Sequence, residues 1–144
     1  MNSQKFMQEF SYKNQFGSIK ISFDNNIMTT KLKGAVSISL VEYLIKTAEK
    51  LIKDITPQPW GYISSSIKAQ ALTPDGYALL VKAAKAFQKN GCVKSAYVLS
   101  SPIAIAQIEK LRHDMGVTIP LKDVLFDDLD QARDFMTDFL DSYK

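Results

Sequence analysis

Three groups of side chains have the types and spacing to do chemistry. Ser64-Ser65-Ser66, with Lys68 two residues on, sets three hydroxyls beside a cation. Between a strand and a helix, one hydroxyl there would accept a phosphoryl group, adding roughly −1.5 to −2 charge near a helix N-terminus. The same segment would hold an anion without being modified. The plainer reading of the three serines is a polar connection with local caps. Asp127, Asp128 and Asp130 are hard oxygen ligands of the kind Mg²⁺ takes. At a helix start, however, acidic residues already favour the macrodipole, and a cap is the simpler role for Asp128. His113 and Cys92 are the only histidine and cysteine. They are too few for a zinc site, and nothing pairs them as a nucleophile and base. No Gly-x-Ser-x-Gly elbow occurs, and neither Gly-rich phosphate motif is present, so the sequence predicts no hydrolase nucleophile and no cofactor.

Those groups must be positioned by the elements around them. Ser18 to Phe23 alternates, with Ile19, Ile21 and Phe23 on one face, which is the pattern of a half-buried strand. Asp24-Asn25-Asn26 is turn chemistry, and Ile27 to Lys33 is the return strand of a hairpin. Ser39 with Glu42 fits a capping box opening a helix, whose apolar stripe runs Val41, Leu44, Ile45, Ala48, Leu51, Ile52 and Ile55 until Thr56-Pro57 stops it. Trp60 to Ser65 reads as a short strand, with residues 64–72 as the loop after it. Thr73-Pro74 caps and starts a second helix, with Tyr77, Leu80, Val81, Ala84 and Phe87 inward and Asn90-Gly91 as its stop.

Ser95 to Leu99 is the next strand, and Ser101-Pro102 repeats the cap. The third helix carries Ile103, Ala104, Ala106, Ile108, Leu111 and Met115 on its apolar side. Val124-Leu125-Phe126 reads as a last short strand, and Asp128 with Gln131 as a capping box for the final helix. The predicted order is β-β-α-β-α-β-α-β-α. That is an α/β fold: a mostly parallel sheet built from βα units, with an antiparallel N-terminal hairpin at its edge. Residues 1–17 form a lead-in segment, too aromatic (Phe6, Phe10, Tyr12, Phe16) for a disordered tail. It is expected to pack as a helix or an edge strand.

Composition excludes several classes. No apolar run approaches the ~20 residues needed to cross a bilayer, and the polar start Met1 to Lys5 predicts no secretory signal. With one cysteine, no intrachain disulfide forms, which fits the cytoplasm. Residues 1–95 carry 13 lysines against six acidic residues; residues 96–144 carry five basic against nine acidic. The lysines stand singly among apolar residues, with no patch of interleaved aromatics, so no nucleic-acid partner is expected.

Three stretches carry a family resemblance: Phe23-Asp24-Asn25-Asn26-Ile27-Met28-Thr29-Thr30-Lys31-Leu32-Lys33-Gly34, Trp60-Gly61-Tyr62-Ile63-Ser64-Ser65, and Leu72-Thr73-Pro74-Asp75. Over roughly residues 18–140 the chain resembles the STAS domains of SpoIIAA-like anti-sigma-factor antagonists, which implies a single STAS-like α/β domain over 18–144. The resemblance also implies a protein partner, with a serine after the third strand phosphorylated to switch binding. That family places an Asp before its Ser-Ser-Gly, whereas this chain runs Ile63-Ser64-Ser65-Ser66-Ile67.

The leading expectation is therefore a non-enzymatic regulatory or protein-interaction module. Its binding and phosphoacceptor residues would be Ser64, Ser65, Ser66, Lys68 and Thr73. The alternative is a carrier of a small apolar, lipid-like ligand, since a related fold in lipid-transfer proteins holds such ligands between sheet and helices. A third reading is a small enzyme using Asp127 to Asp130.

Overall fold

The computed structural model describes residues 8–55 and 58–143. Five strands form one sheet in the order β1-β2-β3-β4-β5: β1 Gln8–Lys13, β2 Gly17–Asp24, β3 Ile27–Val36, β4 Trp60–Leu72 and β5 Cys92–Val98. Four helices follow the strands: α1 Ile38–Ile55, α2 Pro74–Lys89, α3 Pro102–Asp114 and α4 Leu129–Ser142. The hairpin turns on Asn25 and Asn26, at φ 53° and 64°. Two consecutive left-handed residues match the twist of the flanking strands, a geometry that asparagine tolerates. The strands β2 and β3 pair antiparallel, and β4 joins β3 and β5 in parallel across the α1 and α2 crossovers.

The sheet has two apolar faces. On one, Ile19, Ile21, Phe23, Met28, Trp60 and Tyr62 pack against Leu40, Leu44 and Leu51 of α1 and Phe87 of α2. On the other, Ile27, Ile63, Ala96 and Val98 meet Ala132 and Met136 of α4. At Gly61 a Cβ would come within 2.7 Å of Met136 Cγ, so α4 sits directly on the β4 backbone. Trp60 is fully buried; its indole N–H donates to the Asn90 carbonyl at 2.9 Å, and Phe87 meets it edge-on at 5.5 Å. Gly91, at φ 102°, ends α2 where a Cβ would crowd that indole at 3.3 Å.

The structure corrects several sequence expectations. The α/β fold with its antiparallel N-terminal edge is as expected, and part of the lead-in segment, Gln8–Lys13, packs as an edge strand, so the sheet is mixed with two antiparallel and two parallel pairings. Phe16 is exposed, and Phe6 lies outside the described residues. The helix α1 begins two residues earlier than the Ser39–Glu42 box predicts: Ser37 precedes it, and its carbonyl accepts from Leu40 and Val41. The stop at Thr56-Pro57 lies outside the described residues. In α3, Ile103 is 60% exposed, whereas Arg112 takes a buried position. The last strand is replaced by a 3-10 turn, Leu121–Val124, and a single bridge from Leu125 to Tyr97. The largest change is in β4, which continues through the expected loop to Leu72.

Candidate ligand cleft under the second and third helices

The extension of β4 decides where each serine goes. Its residues alternate between the two faces, and those turned toward α1 and α2 are Trp60, Tyr62, Ser64 and Ser66. Side-chain volume collapses halfway along that series. Protein interiors are close-packed, so a run of small residues opposite full-length helices leaves space. A cleft of about 240 Å³ lies there, partly open to solvent. Tyr62, Ser64, Ser66 and Tyr97 line it from the sheet, and Leu40 and Leu44 from α1. Leu80 and Ala84 of α2, with Ile108 and Leu111 of α3, complete its apolar walls.

Several polar groups hold the walls in place. The Tyr62 hydroxyl and Thr30 Oγ1 share a buried hydrogen bond of 2.9 Å. Burial pushes the Tyr62 phenol well above its ordinary pKa, with the bond to Thr30 opposing. Burial also raises the Tyr97 phenol, against the pull of neighbouring Arg112, and raises the Cys92 thiol to about 11. These groups are therefore neutral at ordinary pH. Beyond Ser65, β4 has no β5 partner, and α3 closes part of the gap. The Gln107 side-chain amide accepts from Leu72 N–H at 3.0 Å and donates to the Leu72 carbonyl at 3.3 Å.

Arg112, on the last turn of α3, is 8% exposed and lines the cleft. It donates to the Ile119 carbonyl at 2.8 Å and lies 5.7 Å over the Tyr97 ring. Among the described lining residues, Arg112 and Lys94 carry charge, and no aspartate or glutamate does.

The expected site residues are thus only partly brought together. Ser64 and Ser66 line the cleft, but Ser64, Ser65 and Ser66 are strand residues, 6%, 7% and 8% exposed, rather than an open loop. Lys68 pairs with Lys33 along the backbone, and its side chain lies outside the described residues. Thr73 caps α2, accepting from Gly76 N–H at 3.1 Å and donating to Asp75 at 2.7 Å, so its hydroxyl is committed to the helix start. Asp128 caps α4 as expected, accepting from Gln131 N–H at 2.9 Å. His113 has a side chain 88% exposed beside Asp114. Among the described residues no cluster of three potential metal ligands occurs.

Gln107 and Arg112 were missed, although a signal existed. Arg112 stands four residues after Ile108 and eight after Ala104, on the same helical stripe as both. A polar residue on an apolar stripe marks a buried polar contact.

No family model matches the chain, and no curated protein does. Solved structures do. An anti-sigma factor antagonist from Mycobacterium paratuberculosis is 12% identical, with a TM-score of 0.53 over 90% of this chain and 93% of that one. An uncharacterised DUF3478 protein with a SpoIIAA-like fold, from Shewanella loihica, is 11% identical, with a TM-score of 0.61 over the same shares. The structure of SLC26A9 matches 81% of this chain with 20% of its own, at 14% identity and a TM-score of 0.58. The chain has the SpoIIAA-like, STAS-type α/β fold. Among the described residues, no helix is long and apolar enough to cross a membrane.

Proposed function

We propose that this chain is a non-enzymatic binding module of the SpoIIAA-like type, and that its working site is the cleft, which takes a small apolar molecule. The observation that carries this reading is the cleft itself, where Ser64 and Ser66 replace the large inward residues that begin β4. Ligand sites are concave and mostly apolar, with few polar groups fixing orientation, and this cleft has that character. At about 240 Å³ it falls just under the usual ~300–1,000 Å³, so the ligand is small.

The test is native mass spectrometry of protein purified from its own host, followed by titration with an environment-sensitive apolar dye. A non-covalent adduct, and dye binding lost in Ala84→Trp while the fold is kept, are the expected results. Dye binding unchanged by Ala84→Trp would remove the cleft as the site.

A second reading, recruitment of a protein partner, is favoured by the fold likeness to an anti-sigma factor antagonist. Ser64, Ser65 and Ser66 are buried strand residues, so phosphoryl transfer to any of them would require local opening around β4. The exposed start of α2, around Pro74 and Asp75, is the more accessible surface for a partner. Substitution of Asp75 would then weaken capture of a partner from host lysate, while Ala84→Trp would not.

A further inference from the structure

We propose that the occupant of the cleft carries one anionic group, a carboxylate or phosphate, that docks on Arg112; this rests on the cleft reading above. Its apolar body lies along Leu80, Ala84, Ile108 and Leu111. A guanidinium stays protonated in proteins and presents five N–H donors. Buried charges are normally paired, and Arg112 is buried. The ion pairs of the described residues go elsewhere: Lys110 and His113 to Asp114, and Arg133 to Asp24.

What does surround Arg112 is dipolar. One donor goes to the Ile119 carbonyl, the Tyr97 ring takes one face, and the C-terminal turn of α3 adds a favourable partial charge. None of these is a countercharge, and Tyr97 is held neutral by burial. The cleft wall contains no acidic side chain among the described residues, so nothing there repels an anion. A planar fork facing an apolar cleft suits a carboxylate or phosphate, which it can engage with two parallel hydrogen bonds. The remaining lining polar groups are neutral hydroxyls, the Gln88 and Gln107 amides and the Cys92 thiol, apart from Lys94, whose ammonium is drawn to the Phe139 ring at 4.9 Å.

Calorimetric titration of the full chain with decanoate, decyl phosphate and decanol tests this directly. The three share one apolar tail and differ in the head. At least one anion should bind about tenfold or more tighter than decanol, as a charge-assisted hydrogen bond implies. Which anion wins distinguishes carboxylate from phosphate. Arg112→Gln should erase that preference, bringing both anions to about the affinity that the same variant shows for decanol, and the decanol binding that remains shows that the cleft persists. Should Arg112→Gln fail to fold, Arg112→Lys should keep a reduced preference, and Lys94→Gln should keep all of it. Equal binding of all three heads would overturn the anionic assignment while leaving the apolar cleft standing. A preference lost in Lys94→Gln but kept in the Arg112 variants would also overturn it. No binding of any of the three would overturn both readings.

Discussion

Gln107 and Leu72 form a two-way backbone clamp: the side-chain amide of one accepts from and donates to the peptide groups of the other, at 3.0 and 3.3 Å. A neighbouring strand would normally supply those bonds. Here one glutamine of α3 does so, and it ties the end of β4 to the helix that carries Arg112. Gln107→Ala should cost about 1–3 kcal/mol, the penalty of leaving partly buried peptide groups unsatisfied. Urea unfolding would measure it; an unchanged midpoint would mean water replaces the amide at no cost.

The seat of α4 is tested by the contact between Gly61 and Met136. Adding a Cβ at Gly61 drives it into a side chain that is fully buried and has little room to retreat. Gly61→Ala should destabilise by about 1–3 kcal/mol through overpacking, and Met136→Ala by about 2–5 kcal/mol through the cavity it leaves. The double variant should lose less than the two together, because the truncated Met136 makes room for the new methyl. Strict additivity in a double-mutant cycle would show that the two residues do not meet in solution.

Thr29 offers a substitution expected to stabilise. Its Oγ1 is buried without a hydrogen-bond partner among the described residues. Valine keeps the branched shape that suits a strand and removes the unsatisfied oxygen. Thr29→Val should raise stability by about 1 kcal/mol. A loss of stability in the melt would reveal a bound water at that hydroxyl.

Alkaline pH should weaken the fold through Cys92. Its residue surface is partly exposed, but its thiol is enclosed and is raised from 9.0 to about 11, chiefly by desolvation. The folded state holds the thiol neutral while the unfolded chain ionises near the ordinary value. Stability is therefore whole below about pH 9 and falls as pH rises toward about 11. Tyr62 and Tyr97, also raised by burial, extend the loss to higher pH. Urea midpoints on either side of that window would record the fall. Iodoacetamide should label Cys92 slowly in the folded chain and quickly in denaturant; equal rates would place the thiol in open solvent.

Much of this fold was legible because its signals are local. Thr73-Pro74, Ser101-Pro102 and Asp128 with Gln131 start helices through bonds spanning three residues, so their sequence neighbours suffice. The Asn25-Asn26 turn is equally local. The serines of β4 are the opposite case. Serine favours turns by its own chemistry, yet Ser64 and Ser65 lie in register with Thr30 and Lys31, and sheet context outweighs local preference. The cleft follows from that same context, since it needs small residues on β4 to face apolar ones from three helices. The Leu125 segment misled in the other direction: its apolar residues pack beside β5 but pair through a single bridge. Arg112 and Gln107 sat in plain view on the inward stripe of α3, and a helical-wheel reading that includes polar residues finds both.

Trp60 is the chain's sole tryptophan, fully buried at the head of the strand whose later residues line the cleft. Its neighbours Tyr62 and Phe87 are themselves cleft walls. The molecule therefore carries a built-in optical gauge. Unfolding moves a single indole from a dry site to water, and an occupant settling against Phe87 perturbs the same emission without any label. One fluorescence spectrum per titration step reports both whether the chain is folded and whether its cleft is filled.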